Sequence, residues 1–284
     1  MKLGLVLQGG ASRAYYSSGV LDALLEEGIW ADFIIGTSAG IAYALSYVSG
    51  QKGRNLDIAK RFLQDKRYMG LRHLLNPENR CYFNLDFVFH SIANKYVPFD
   101  FETFSKFKGD VVATVTNVNT GQPEYLQLPR DAHNLDILIA SCASPVIFPM
   151  VRIDGQPYMD GGISMPIPVE EAIRSGCDKN IVIMTRDRDY RKRPEKSLAV
   201  AAKLYHRYPN FSQALLSRAE IYNHNMQRLE ELEKQGKVFV VAPQSTTNIK
   251  RTESSPFKIE ELYNRGFWDL KSLVPELYNF INHN

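Results

Sequence analysis

Two short apolar runs, each followed by a glycine-rich turn and a helical pattern, constrain the fold of this chain more than any other feature. The first run is Leu3 to Leu7, and it stops at Gly9-Gly10. The second run is Phe33 to Ile35, and it opens into Gly36-Thr37-Ser38-Ala39-Gly40. Continuous apolar runs of this length are typical of buried parallel strands. Their repetition with glycine turns and helices predicts the start of a doubly wound α/β sheet.

The rest of the chain alternates further strands and helices. Asp154-Gly155 lies between two short apolar segments and is a strong hairpin signal. Residues 51 to 108 have weak periodicity, and we interpret them as an insertion over the sheet. The pattern predicts strands at 111–118, 125–128, 151–153, 158–159, 181–185 and 238–241, and helices at 135–143, 169–174, 212–235 and 259–281.

Composition excludes several classes of protein. With 34 Lys and Arg against 31 Asp and Glu, the net charge is only +3, which argues against a dedicated nucleic-acid binder. The 44% hydrophobic and 23% charged residues match an ordinary globular protein. Three cysteines without CxxC spacing support neither a disulfide framework nor a thiolate metal site. The sequence has no apolar run of a signal peptide or membrane span, so we expect a cytoplasmic protein.

The segment from Gly36 to Gly40 fits the GxSxG pattern, and it lies between a predicted strand and a predicted helix. Small flanking residues permit a sharp, strained turn that exposes the hydroxyl of Ser38 at the carboxyl end of the sheet. The following helix N-terminus would favour developing negative charge. Ser38 is therefore a candidate nucleophile, and the alternative is a tight turn with an incidental serine.

A second glycine turn runs from Gly9 to Ala14. It lacks two glycines and the later acidic residue of a dinucleotide-binding fingerprint, so a nucleotide cofactor is disfavoured. Consecutive backbone N–H groups beside a nucleophile would instead form an oxyanion hole, with the positive charge of Arg13 nearby. The alternative is a helix-capping turn with a solvated Arg13.

Asp160 precedes Gly161-Gly162 at the end of the predicted hairpin. A carboxylate at the edge of an apolar surface is a better base than a free Asp because it is partly desolvated. The alternative is a plain turn. None of the six histidines occupies the late, post-strand turn where an α/β-hydrolase carries its catalytic histidine, and we interpret all of them as surface or core residues: His73, His90, His133, His206, His224 and His283.

In this order the motifs resemble those of the patatin-like phospholipase family. The matching blocks are Gln8 to Ala14, Gly19 to Leu24, Gly36 to Gly40, Ala140 to Pro149 and Asp160 to Gly162. The resemblance implies a three-layer α/β fold with a parallel sheet, a catalytic core at residues 1–186 containing the 51–108 insertion, and a mostly helical C-terminal extension at 187–284 packed on the core.

Carried onto this chain, the resemblance makes Ser38 the nucleophile and Asp160 its base, in a dyad without histidine. Gly9, Gly10 and Ala11 would form the oxyanion hole with Arg13 beside it. The sequence departs from the family pattern at Gln8, where the family has Asp, and at Ala11 and Ala14, where it has Gly. If the loop requires a positive φ at position 11, Ala11 is strained there.

Two further segments have a functional and a structural interpretation. The loop at 186–196 carries six basic and three acidic residues; it could hold an anionic lipid headgroup or a membrane surface, or be solvated. Nine aromatic residues could line an acyl groove or belong to the core: Tyr15, Tyr16, Phe83, Phe87, Phe89, Tyr96, Phe99, Phe101 and Phe104.

The function indicated is a patatin-like serine acyl hydrolase, a phospholipase or carboxylesterase acting on lipid or other acyl esters. No metal, cofactor or nucleic-acid partner is predicted, and the pattern does not indicate an oligomeric state. An acyltransferase using the same acyl-enzyme is one alternative. A non-catalytic lipid- or phosphate-binding protein that retains the glycine turns is the other.

Overall fold

The computed structural model describes residues 1–75, 81–130 and 135–282, and within them the chain forms an eight-stranded central sheet. The strands are β1 (Leu3–Leu7), β2 (Phe33–Thr37), β3 (Asp110–Asn117), β4 (Pro123–Gln127), β5 (Val151–Ile153), β6 (Gln156–Asp160), β7 (Lys179–Ile183) and β8 (Val238–Val241). Their order is β5-β6-β3-β2-β1-β7-β8, and β4 also pairs with β3. Strands β3, β2, β1, β7 and β8 are parallel, whereas β4, β5 and β6 add antiparallel pairs. The predicted mostly parallel α/β sheet is confirmed.

Helices cover both faces of this sheet. They are α1 (Tyr15–Glu26), α2 (Ala39–Val48), α3 (Arg54–Phe62), α4 (Phe101–Lys106), α5 (Asp136–Cys142), α6 (Val169–Arg174), α7 (Lys196–Leu204), α8 (Pro209–Lys234) and α9 (Pro256–Asn282), with a π-helical segment at Asp86–Tyr96. Successive side chains of a strand point to opposite faces. Leu5 and Leu7 of β1 accordingly pack with residues of α1, α2 and α9, whereas Val6 packs with residues of α6 and α8.

Helix α9 crosses α1 at a point of unusually close approach. A Cβ atom added to Gly19 would lie 1.9 Å from the carbonyl oxygen of Tyr263, and one added to Gly266 would lie 2.1 Å from that of Tyr16. Only glycine on both helices allows the two backbones to come this near. The phenol of Tyr263 also donates to the buried Asp22 carboxylate at 2.6 Å. The C-terminal helix is therefore fixed directly to the first helix of the sheet.

The predicted C-terminal strand extends the same sheet, since β8 pairs in parallel with β7 over Asn180–Ile183 and Val238–Val241. The division at residues 186 and 187 stays a prediction, although the sheet continues across it. In the 51–108 segment, the sequence pattern missed α3, α4 and the π-helical segment. Outside that segment, it missed α7. The Asp154-Gly155 hairpin forms as expected, with φ values of 49° and 79° in a two-residue turn.

Candidate active site

Ser38 lies at the turn between β2 and α2, with a strained backbone. Its φ of 54° and ψ of −131° are uncommon for a residue with a side chain. Its backbone N–H donates to the hydroxyl of Ser141 at 2.9 Å, and that hydroxyl donates to the carbonyl of Thr114 at 2.8 Å. The strain is thus held by neighbouring α5 and β3, as expected for a serine presented on a sharp strand-to-helix turn.

Asp160 is the last residue of β6, and only 6% of its surface is exposed. It pairs with Val115 of β3, which brings it beside the end of β2. One carboxylate oxygen accepts from the N–H of Gly162 at 2.8 Å, and the other accepts from the hydroxyl of Ser38 at 3.3 Å. The second bond is longer than the usual O–H···O distance, as is common in catalytic pairs without substrate. The structure therefore brings the two predicted residues together.

The Gly9–Arg13 turn lies beside Ser38 because β1 and β2 are parallel neighbours whose carboxyl ends share one edge of the sheet. A Cβ atom added to Gly9 would be 3.2 Å from the Cβ of Ser38. Among the described residues, the backbone N–H groups of Gly9, Gly10 and Ala11 have no hydrogen-bond partner. The N–H of Ser38 itself is occupied by Ser141. The glycine turn therefore offers free donors beside the serine.

Gln8, which replaces the aspartate of the family pattern, anchors this turn without a charge. It is 2% exposed. Its carbonyl oxygen accepts from the N–H of Thr185 at 2.6 Å and from the Thr185 hydroxyl at 3.0 Å. Its amide donates to the phenol oxygen of Tyr222 at 2.9 Å. A buried amide with both ends satisfied stabilises the loop because neither polar group is left unpaired.

Ala11 has the positive φ that the sequence identified as a source of strain, at 48°. Replacement by Gly removes a conformational strain of about 1–2 kcal/mol from the folded state. Glycine also makes the unfolded chain more flexible, which lowers the free energy of unfolding by about 0.4–1 kcal/mol. We expect Ala11→Gly to raise the free energy of unfolding by about 0.5–1 kcal/mol in urea titrations. Ala14→Gly is the matched control, since Ala14 is buried at φ −70° and glycine there should destabilise by about 1 kcal/mol. Equal destabilisation by both changes would contradict strain at position 11.

A cavity of about 1000 Å³ opens at Ser38 and Asp160. Its wall is rich in apolar side chains, and the nine aromatic residues considered from the sequence divide between the cavity and the core. Tyr15, Phe83, Phe89, Phe99 and Phe101 border the cavity. The others pack elsewhere, as Tyr16, Phe87, Tyr96 and Phe104. A cavity of this size, with many apolar side chains in its wall beside a serine hydroxyl, can hold an acyl chain.

Arg13 and part of the 186–196 loop also border the cavity. The Nε of Arg13 is buried and has no hydrogen-bond partner among the described residues. Burial, Arg186 and Arg251 together lower the pKa of Arg13 to about 10. Arg188, by contrast, forms an ion pair with Glu233 at 2.7 Å, away from the cavity.

Among the described residues, the histidines and cysteines do not add a second candidate nucleophile to the cavity. Of the described histidines, none borders the cavity, and His133 and His283 lie outside the described residues. Cys142 borders the cavity beside Ser38. Burial and the nearby Asp160 charge raise the pKa of its thiol, so it stays protonated and weakly nucleophilic.

The described parts of the chain hold no cluster of His, Cys, Asp and Glu suited to a metal ion. They also lack a helix long and apolar enough to cross a membrane.

Sequence reasoning missed several residues that shape this site. Ser141 supports the Ser38 turn through its hydroxyl. The one sequence feature that points to this serine is its place in the Ala140 to Pro149 block. Arg218 donates to the carbonyl of Gly162 at 2.9 Å, next to Asp160. Arg251 donates to the hydroxyl of Ser144 at 3.1 Å. Neither arginine belongs to a motif, so only the fold could bring them to the cavity.

Two family models match the chain. One, patatin-like phospholipase, matches residues 5–173. The other is a domain of unknown function (DUF6363), which matches residues 208–282.

Curated relatives include the uncharacterized protein YjjU of Escherichia coli (strain K12), 28% identical over 65% of this chain and 52% of that protein. A cGAMP-activated phospholipase of Pseudomonas aeruginosa is 30% identical over 56% of this chain and 52% of its own length. The lysophospholipase nte1 of Aspergillus fumigatus is 25% identical over 62% of this chain but only 11% of its own. The chain thus spans about half the length of its bacterial relatives and far less of the fungal one.

Among solved structures, VipD from Legionella pneumophila aligns with 97% of this chain and 67% of its own, with a TM-score of 0.49 and 14% identity.

Proposed function

Because the chain belongs to the patatin-like phospholipase family, we propose that it is a serine acyl hydrolase acting on lipid acyl esters, with Ser38 as nucleophile and Asp160 as base. The observation that carries the proposal is the hydrogen bond from the Ser38 hydroxyl to the Asp160 carboxylate, 3.3 Å long, at the wall of a large apolar cavity. The relatives named as phospholipases and lysophospholipases support the same class of substrate.

In the first half of the reaction, the Ser38 oxygen attacks the ester carbonyl carbon while Asp160 takes the hydroxyl proton. The free N–H groups of Gly9, Gly10 and Ala11 would stabilise the resulting oxyanion, and each such donor is worth roughly 3 kcal/mol in the transition state. Protonated Asp160 then gives its proton to the leaving alcohol oxygen, which leaves an acyl-enzyme on Ser38.

In the second half, water attacks the acyl carbonyl and Asp160 accepts the water proton. The ester bond to Ser38 breaks, the proton returns to the serine oxygen and the carboxylic acid leaves. The carboxylate needs no histidine because it contacts the nucleophile directly. Its orientation is set by the N–H of Gly162 on its other oxygen, so the oxygen facing Ser38 is free to accept a proton.

A fluorophosphonate probe tests this proposal. The folded protein should be labelled at Ser38 with one phosphonyl group, located by peptide mass spectrometry, because the strained turn presents an activated hydroxyl to the cavity. Heat-unfolded protein is the control and should not react. A folded protein that resists the probe and hydrolyses no acyl ester would favour a non-catalytic lipid-binding role.

The transferase alternative is separated by product analysis. With a p-nitrophenyl acyl ester and added glycerol, a hydrolase yields mainly free fatty acid, whereas an acyltransferase yields acylglycerol at the same rate of p-nitrophenol release. We expect free acid as the main product. If acylglycerol were the main product, an acyl-enzyme on Ser38 would still explain the reaction, but the protein would be an acyltransferase and not a hydrolase.

A further inference from the structure

Among the described residues, six of the seven arginines that border the active-site cavity lack a carboxylate partner. Arg54 and Arg193 are two of these six, and the other four influence one another electrostatically. These four are Arg13, Arg186, Arg218 and Arg251. In the part of the chain that the structure describes, no Asp or Glu oxygen lies within 4.0 Å of their guanidinium nitrogens, whereas the neighbouring loop residue Arg188 has such a partner. Arg13, Arg186 and Arg218 are half-buried, whereas Arg251 is exposed at the edge of the cavity. A half-buried arginine is normally paired, since removing an unpaired charge from water is costly.

The contacts that these side chains do make leave most of their donors unused. The Nε of Arg218 donates to the carbonyl of Gly162, and one guanidinium nitrogen of Arg251 donates to the hydroxyl of Ser144. Arg186 stacks over the ring of Tyr190 with its guanidinium carbon 4.4 Å from the ring centroid. Each guanidinium has five N–H donors. The buried Nε of Arg13 has no partner at all among the described residues.

The four side chains are also close enough to repel one another. Besides burial, Arg186 and Arg251 depress the pKa of Arg13, and Arg251 depresses that of Arg218. The pKa of Lys192, also at the cavity wall, is lowered by burial and by Arg218 and Arg251 in spite of its Glu195 partner 2.9 Å away. An anion bound among these groups would relieve that repulsion.

Counted over the whole wall, the cavity is lined by eight basic and three acidic residues. This excess of five positive charges is larger than the +3 balance of the entire chain, so the residues outside the cavity wall are together net negative. Arg54 stands apart from the cluster, because it donates to the carbonyl of Val97 and lies over the ring of Phe99. The positive field is thus concentrated where the substrate of the proposed reaction would enter.

We propose that Arg13, Arg186, Arg218 and Arg251 form a phosphate-binding subsite that makes the cavity selective for acyl esters carrying a phosphate group. The proposal rests on the proposed function, since the ester must reach Ser38 while its phosphate contacts the arginines. Guanidinium groups suit phosphate because their planar N–H donors match its oxygens in pairs. Arg186, Arg218 and Arg251 lie beyond the residues matched by the phospholipase family model, so this selectivity would be a property of this chain's later segments.

Two substrates with the same acyl chain test the selectivity. Oleoyl lysophosphatidic acid and monooleoylglycerol, presented in the same neutral detergent micelles at fixed ionic strength, differ by the phosphate. We expect wild type to favour the phosphate ester by about 100-fold in kcat/KM, and Arg251→Gln and Arg186→Gln each to reduce that ratio by about 10-fold, because each removes one charge-assisted contact. Arg188→Gln is the matched control from the same loop and should keep the ratio. A wild-type ratio near one, or a ratio unchanged in both variants, would overturn the subsite.

A binding measurement separates this inference from the catalytic one. Titration of the Ser38→Ala protein with glycerol 3-phosphate should show competable binding that is lost in Ser38→Ala/Arg251→Gln, with thermal unfolding checked for both. Inorganic phosphate tests whether the phosphate group alone is enough for binding. If it displaces glycerol 3-phosphate, the arginines contact the phosphate group itself. Equal competition by acetate at matched ionic strength would show unspecific attraction of anions and refute the subsite. If phosphate binds in this way while the fluorophosphonate probe fails to label Ser38, the subsite stands and the proposed hydrolase does not.

Discussion

Ser38→Ala should reduce hydrolysis of an acyl ester by at least about 10⁴-fold, because it removes the only activated oxygen that the proposed mechanism uses. Cys142 cannot replace it, since burial keeps that thiol protonated. The change removes the 3.3 Å bond to Asp160 and the contact of the hydroxyl with the Cys142 thiol, so the free energy of unfolding should change by only about 1 kcal/mol. Initial rates with a p-nitrophenyl acyl ester and a urea titration measure the two quantities.

The control for this change is Ser272→Ala, an exposed serine on α9 whose hydroxyl donates only to the carbonyl of Asp269. It should keep the wild-type rate. A folded Ser38→Ala protein with a rate within tenfold of wild type would exclude Ser38 as the nucleophile, and the non-catalytic lipid-binding role would then be the better explanation of the cavity.

Asp160→Asn should lower the same rate by about 10²–10⁴-fold, the range expected when a general base is lost. An amide has the shape of the carboxylate and can still accept from the N–H of Gly162, so the turn should stay folded. It cannot take the proton of Ser38. The double variant Ser38→Ala/Asp160→Asn should be no slower than Ser38→Ala alone, since residues that act as one unit lose their effect together.

The matched control is Asp154→Asn, at the exposed tip of the same hairpin. Asparagine tolerates the positive φ of that position, so neither stability nor rate should change. If Asp160→Asn retained more than a third of the wild-type rate, or if the two losses were simply additive, the direct transfer of a proton between Ser38 and Asp160 would be wrong.

The sequence predicted those parts of the fold in which local pattern and tertiary structure agree. The apolar runs of β1 and β2 are short, buried on both faces and followed by glycine turns. Their strand conformation and their parallel pairing could therefore be predicted from the sequence pattern alone. The positions of Ser38 and Asp160 followed from motifs at the ends of β2 and β6. Segment 51–108 was harder because its aromatic residues face both the cavity and the core, which blurs the helical period of α3 and of Asp86–Tyr96.

The polar environment of the site could not be derived from local pattern. Gln8 counted as a departure from the family motif, yet it is fully hydrogen-bonded through Thr185 and Tyr222, which lie 177 and 214 positions away in the chain. The same holds for Arg218 and Arg251, which come from unrelated segments. Contacts between residues so distant leave no periodic signal in one sequence, and the fold alone determines which of them meet.

The close crossing of α1 and α9 has a consequence for the order in which the molecule can form. Gly19 and Gly266 are about 250 positions apart, and α1 leads directly out of the glycine turn beside Ser38. Synthesis proceeds at roughly 5–20 residues per second. Residues near 266, which cover α1, are therefore made more than ten seconds after Ser38. We therefore expect the nascent chain to expose the side of α1 that faces α9 throughout that interval, and to complete the packing around Gly19 only afterwards.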